Sequence, residues 1–284
     1  MFSWITREIT CKSGLTPCGF PGGGWAINPY VGCSHGCRYC YARFMKKFTG
    51  HTEPWGTFVD VRANIVEVVA RKLKSSKFVS RQIYLGTVTD PYQPAEAHYQ
   101  LTRNLLKVLS DYEHPVSILT KSDLVIRDRD VLTRFKEVDV NFTVNTLDEK
   151  WKGLVEPHSP TIKQRFQAMK KLADAGITVE AMMGPYFPFF TDPEALFRKL
   201  KAIGVSHVFT ESFNTIGGNW TGVDAVLKKH YPHLLLTMRK TLFNKKEFCQ
   251  FYSEAEKKLE ALSKNYHIPV TTSFGIGHAG KETK

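Results

Sequence analysis

The sequence predicts an α/β protein built on a parallel sheet, and three observations carry that expectation. Between residues 25 and 210, six short apolar segments alternate with segments whose apolar residues recur at helical spacing, the order of repeated βα units. Glycines stand where two of the helices should stop, Gly176 and Gly204, as expected for a left-handed C′ residue. Polar clusters fall at the C-terminal ends of the apolar segments, where parallel α/β folds place their chemistry. Right-handed crossovers curl such a sheet into a barrel or wind it doubly.

The elements follow in order. Residues 1–24 read as an irregular N-terminal strap, because Pro17, Pro21 and the run Gly22-Gly23-Gly24 punctuate them. Residues 25–28 are a short strand running into a cysteine-bearing loop, and residues 44–60 are an insertion with Pro54 and Gly56. Residues 64–75 are a helix with Ile65, Val68, Val69 and Leu73 on one face. Strands are then expected at 81–86, 115–120, 138–144, 177–183 and 205–210. Helices are expected at 101–110, 127–135, 161–175 and 193–203. Residues 25–230 make the core, and residues 231–284 a helical extension with one long amphipathic helix at 245–265 and a strand at 268–272. The tail at 273–280 is rich in glycine and either folds over the site or lacks order.

The chain has 284 residues, 42% of them hydrophobic and 23% charged, enough for a full core. No apolar run approaches the roughly 20 residues of a membrane span, and the N-terminus lacks the pattern of a signal peptide, so a cytoplasmic location and no membrane partner are predicted. The net charge is +12, the sign expected of a protein that meets a polyanion such as nucleic acid. The charge is spread over many short groups, for which solvated helix faces are the simpler reading.

Cys33, Cys37 and Cys40 form a C-x3-C-x2-C pattern with Gly32, Gly36 and Tyr39 interleaved. Thiolates are the ligands of iron–sulfur clusters. Three of them leave one iron of a four-iron cluster open for an exogenous ligand. Structural zinc, with His35 or a distant cysteine as fourth ligand, is the rival, and it would make the chain a zinc-stabilised nucleic-acid-binding module without enzymatic activity. Cys11 and Cys18 could pair, form a second metal site, or be incidental thiols like Cys249.

The cysteine loop resembles the signature of the radical S-adenosylmethionine (SAM) enzymes. The chain as a whole is similar to their spore photoproduct lyase-like branch, often labelled DNA repair photolyases. The matching residues are Asn28-Pro29-Tyr30 with the cysteine loop, Thr89-Asp90-Pro91-Tyr92-Gln93-Pro94, Leu101-Thr102-Arg103, Leu119-Thr120-Lys121-Ser122, Arg127-Asp128, Glu156-Pro157 with Arg165, and Ala175-Gly176-Ile177. The resemblance implies a partial (β/α)6 TIM-type barrel with SAM across its top and a [4Fe-4S] cluster on the three cysteines. It implies a one-electron reductant of the flavodoxin or ferredoxin type, and cleavage of SAM to methionine and a 5′-deoxyadenosyl radical. It places the Tyr39 backbone near the adenine and Lys121 and Thr143 on the polar parts of SAM, with Thr87, Asp90 and Asn145 as further candidates. Thr87 stands where the lyase carries its hydrogen-donating cysteine, and a threonine O–H is too strong to serve. Tyr41, which follows the last cysteine, is therefore the candidate catalytic hydrogen donor. Residues 211–284 lack a clear counterpart of the lyase's DNA-binding region. A nucleic-acid substrate is the leading expectation, with a peptide or small metabolite as the alternative.

Overall fold

Residues 4–280 are described by the computed structural model, except 21, 76, 77 and 80; the expectations for Pro21 and for residues 1–3 lie outside the described residues. In chain order the strands are β1 (Ile5–Ile9), β2 (Thr16–Pro17), β3 (Trp25–Ile27), β4 (Tyr30–Val31), β5 (Phe58–Arg62) and β6 (Ile83–Leu85). They continue as β7 (Val116–Thr120), β8 (Val138–Thr143), β9 (Thr178–Met182), β10 (Val208–Glu211) and β11 (Val270–Ser273). The α-helices are α1 (Ile65–Leu73), α2 (Glu96–Tyr99), α3 (Leu101–Leu109), α4 (Arg129–Leu132) and α5 (Glu149–Val155). After them come α6 (Ile162–Ala173), α7 (Pro193–Ile203), α8 (Asn219–His230), α9 (Pro232–Phe243) and α10 (Lys245–Tyr266).

The six predicted strands become β3, β6, β7, β8, β9 and β10, adjacent in that order and all parallel. β11 extends the sheet parallel to β10, and β2 closes the other end antiparallel to β3. This is the partial barrel expected of the chain. Apolar residues such as Ile83, Leu85, Ile118, Val140, Phe142 and Ala181 are fully buried on these strands, because helices cover a parallel sheet. The helix ends obey the sequence. Thr161 and Gln164 form a capping box on α6, Asp192 caps α7 with Pro193 in its first turn, and Gly204 ends α7 in the left-handed region at φ 88°.

Two parts of the chain differ from expectation. Residues 5–9, expected as irregular strap, form β1, which runs parallel to β5 from within the expected insertion; β5 also pairs antiparallel with β4. The strand was hidden because four of its five residues are exposed and it has no apolar alternation. Its partner holds it, helped by Arg7 on Asp60 at 3.2 Å and His51 on Asp60 at 2.9 Å. This small sheet lies against the cysteine loop: a Cβ at Gly32 would stand 2.4 Å from the Phe58 carbonyl oxygen. In the extension, α9 is a further helix between α8 and α10, and α10 buries Phe248, Tyr252, Ala255, Leu259 and Leu262 as its stripe predicts. The tail folds back: Thr215 donates its N–H and hydroxyl to the His278 carbonyl at 3.1 and 2.9 Å.

A pair of carboxyls within the sheet makes stability depend on pH. Ser117 donates to Asp139 at 2.6 Å on the neighbouring strand. Burial, then the charge of Glu137, pushes Asp139 up to about 6. Burial, then Asp139, pushes Glu180 up to about 7. Groups that hold their protons longer folded than unfolded contribute stability below about pH 4 that is lost as pH rises through 6 to 7. Asp139→Asn is therefore expected to stabilise the protein at pH 8 by roughly 1–2 kcal/mol, discounted for partial exposure, and hardly at pH 4. Urea melts at the two pH values check this; equal effects at both would refute it.

Candidate active site

The cysteine loop is clamped by the segment that follows β6. Thr89 donates its hydroxyl to the Gly32 carbonyl at 2.6 Å, and Gln93 donates to the same oxygen at 3.3 Å. The Gln93 carbonyl oxygen accepts from the Ser34 N–H at 2.9 Å. Asn28 donates to the Thr87 hydroxyl and accepts from the Val88 N–H, both at 3.0 Å. Gly32 and Gly36 adopt positive φ of 85° and 62°, which lets the loop turn back on itself. Behind the clamp, Glu96 is wholly buried and accepts from Tyr30, from Arg127 at 2.7 Å and from the Thr102 N–H at 2.9 Å, fixing the start of α3. Arg103 and Arg127 share the buried Asp128 at 2.9 and 2.8 Å. Asn28, Thr89 and Gln93, which carry part of the family resemblance, thus hold the loop in place.

The loop opens onto a cavity of about 370 Å³ at the C-terminal ends of the strands, a volume suited to a small-molecule ligand. Cys33, Cys37 and Cys40 line it together with Tyr39, Tyr41, Thr87, Asp90, Lys121 and Thr143. Among the described residues no three His, Cys, Asp or Glu side chains are grouped to hold a single metal ion, and His35, the alternative zinc ligand, stands 3.2 Å from the Asp90 carboxylate. The three thiols line one cavity. Burial, opposed by Lys121 but reinforced by Glu156 and Cys40, pushes the Cys37 thiol up to about 12. A cationic centre would supply what holds it as thiolate. Cys11, Cys18 and Cys249 are free thiols apart from this site.

Lys121 is the cation of the cavity. Its ammonium stands 5.8 Å from the Tyr39 ring centroid and makes no hydrogen bond or ion pair with the described residues. Burial lowers its pKa, but Cys37, Glu156 and Asp90 more than offset this and leave it raised. It stays charged, ready for an anionic ligand group. Asp90 lines the cavity with its oxygens already committed: it accepts from Thr120 at 2.7 Å, from the Lys121 N–H at 2.8 Å and from the Tyr92 N–H at 2.9 Å. Burial alone would raise it; His35 and these bonds hold it down to about 2.

Behind the cavity runs a charged network that sequence reasoning left without a role. Glu156, fully buried, accepts from the Tyr39 hydroxyl, from Arg165 and from Ser159 at 3.1 Å. Arg165 also donates to the Thr143 carbonyl at 2.9 Å. One ion pair therefore ties the cysteine loop to the end of β8. Asn145, expected beside the cofactor, does not line the cavity; it stands behind Tyr39, donating to its hydroxyl at 3.3 Å and to the Gly184 carbonyl at 3.4 Å. Tyr41 and Thr87 meet, the tyrosine hydroxyl donating to the Thr87 carbonyl. The sequence reading missed Glu211, Asn219 and His278, which also line the cavity. A terminal strand glutamate and two residues of the C-terminal third carry no local motif that would have marked them.

A parallel partial barrel that gathers three thiols and an unpaired cation at its strand ends is the architecture of a cofactor-dependent enzyme. The chain belongs to the Radical SAM superfamily, whose sequence model matches residues 27–209. A protein of Methanocaldococcus jannaschii is 37% identical over 194 residues, covering 68% of this chain and 72% of its own length. The Radical SAM Nalpha-GlyT isomerase of Pseudomonas phage M6 is 26% identical over 197 residues, covering 68% of this chain and 40% of the isomerase. A structure of a spore photoproduct lyase variant with bound AdoMet and dinucleoside spore photoproduct shares the fold at TM-score 0.68 and 14% identity, covering 93% of this chain and 80% of that one. The protein is an enzyme that uses a [4Fe-4S] cluster and SAM. No helix among the described residues is long and apolar enough to cross a membrane.

Proposed function

We propose that the enzyme directs radical SAM chemistry at a nucleic acid. Cys33, Cys37 and Cys40 hold the cluster, and Lys121 pairs with the SAM carboxylate. Thr143 meets its ribose, and the Tyr39 backbone lies against its adenine. Bound there, cluster and SAM supply a 5′-deoxyadenosyl radical that takes a hydrogen atom from the substrate; a one-electron reductant, of flavodoxin or ferredoxin type, feeds the cluster. Asp90 and Asn145 position these groups, and Thr87 shapes the pocket.

The observation that carries the substrate reading is the 3-10 helix Tyr41–Phe48 at the cavity mouth. It exposes three aromatics, Tyr41 at 43%, Phe44 at 41% and Phe48 at 75%, beside Lys46 and Lys47. Aromatic faces stack on bases and lysines meet phosphates. The net charge of +12 agrees, as does the fold shared with a lyase bound to a dinucleoside. Anisotropy titrations of anaerobic holoenzyme with labelled single-stranded oligonucleotides should show affinity that falls steeply between roughly 50 and 200 mM salt. No salt-dependent binding would turn the choice toward a peptide or small metabolite.

Two variants test the residue roles. Lys121→Ala loses a charge-assisted contact of roughly 1.5–3 kcal/mol, so the SAM dissociation constant should rise about 10- to 100-fold with the iron content intact. An unchanged constant would show that Lys121 points elsewhere. Tyr41→Phe keeps the ring and removes the hydroxyl. Substrate turnover should fall more than 5′-deoxyadenosine formation does; wild-type turnover would make the tyrosine a packing residue.

A further inference from the structure

Glu211 ends β10, three strands along the sheet from the strand that precedes Lys121. Its carboxylate lines the cavity, yet makes no hydrogen bond or ion pair with the described residues. Gly184 leaves it room: a Cβ there would stand 3.1 Å from the Glu211 Cγ. Asn219, which also lines the cavity, is buried at 2% exposure. Its amide N–H donates to the Asn214 carbonyl at 3.1 Å, which fixes the amide's orientation, and its Oδ1 has no partner. Two residues of the cavity lining thus carry side-chain acceptors without a donor. Leaving such groups without donors is costly.

This lining adjoins the aromatic segment. Arg43 of the 3-10 helix donates to the Gly218 carbonyl at 3.0 Å, joining the loop after the first barrel strand to the start of α8. Tyr41, Glu211 and Asn219 all line the one cavity.

We infer that Glu211 and Asn219 form the substrate subsite, an acceptor wall that takes the N–H edge of a nucleobase, guanine foremost. The inference rests on the nucleic-acid reading and deepens it. A carboxylate offers two adjacent acceptors. Guanine offers two adjacent donors on its pairing edge, N1–H and the exocyclic amine. Thymine and uracil offer one N–H flanked by two carbonyls, which would set lone pairs against lone pairs; adenine and cytosine offer one amine beside an acceptor. Burial raises the Glu211 pKa and Lys121 opposes the rise.

The test uses anaerobic holoenzyme with SAM and four labelled thymidine pentamers whose central base is G, A, C or T. Wild-type protein should bind the central-G pentamer about tenfold or more tightly than the central-T one, the size of a bidentate base contact. Glu211→Gln, which keeps the shape, and Glu211→Ala should both reduce that ratio to below about threefold. An unchanged ratio in both variants overturns the subsite. So does a SAM dissociation constant raised tenfold in both, because Glu211 then faces the cofactor. Salt-dependent binding with no base preference in wild type overturns the subsite alone. Absence of binding to all four pentamers overturns the nucleic-acid reading and the subsite with it.

Discussion

Cys37→Ala is expected to abolish reductive cleavage of SAM and to strip the iron from reconstituted protein. Three thiols line the cavity, and no other cysteine among the described residues reaches it. A cluster held by three protein ligands has none to spare. Cys37 is also the most enclosed by charge, with Lys121, Glu156 and Arg165 all acting on it. The readouts are iron content, the brown cluster absorbance, and 5′-deoxyadenosine formed with dithionite and SAM. Loss of activity should exceed any loss of stability, because the loop's clamp runs through Gly32, Ser34 and the segment after β6. A variant that still cleaves SAM at the wild-type rate would sink the cluster assignment.

Glu156→Ala is expected to destabilise the fold by roughly 3–5 kcal/mol, the cost of leaving a buried arginine without its partner. Arg165 is 1% exposed and has no route to water. Its remaining acceptors, the carbonyls of Thr143 and Pro160 and the Ser159 hydroxyl, are neutral. Glu156→Gln keeps the shape and an acceptor, so it should cost less while still leaving the charge uncompensated. Chemical denaturation of the metal-free protein measures both. A loss below about 1 kcal/mol in Glu156→Ala would mean that Arg165 finds another acceptor, which is the outcome that would refute the pairing as drawn.

What could be read from the sequence was local. The cysteine spacing, the glycine stops and the short apolar strands each announce themselves within a dozen residues, and the parallel order follows from their alternation. What stayed hidden depends on distant partners. Tyr39 and Glu156 lie 117 positions apart, and neither looks exceptional alone. β1 pairs with a segment 53 positions away and shows no apolar face of its own. Glu211 resembles any solvated glutamate at a strand end until the fold turns it inward. The polar atoms of Asp90 and Asn145 serve the protein's own groups, which no local pattern announces.

The clamp on the cysteine loop has a consequence for how the enzyme survives oxygen. In small zinc modules the ion is the core, and removing it unfolds the chain. Here Thr89 and Gln93 grip the loop and Asn28 ties its start to the segment after β6, through bonds that involve no metal, and the small sheet backs it at Phe58. Assembly of the cofactor therefore does not have to order the backbone that receives it. A protein emptied of its cluster is therefore expected to need re-metallation and thiol reduction rather than refolding, which recovery of the cluster on adding iron, sulfide and a thiol reductant without a denaturation step would check. Repeated cycles of loss and reloading then draw on iron and sulfide supply, with the polypeptide itself reusable.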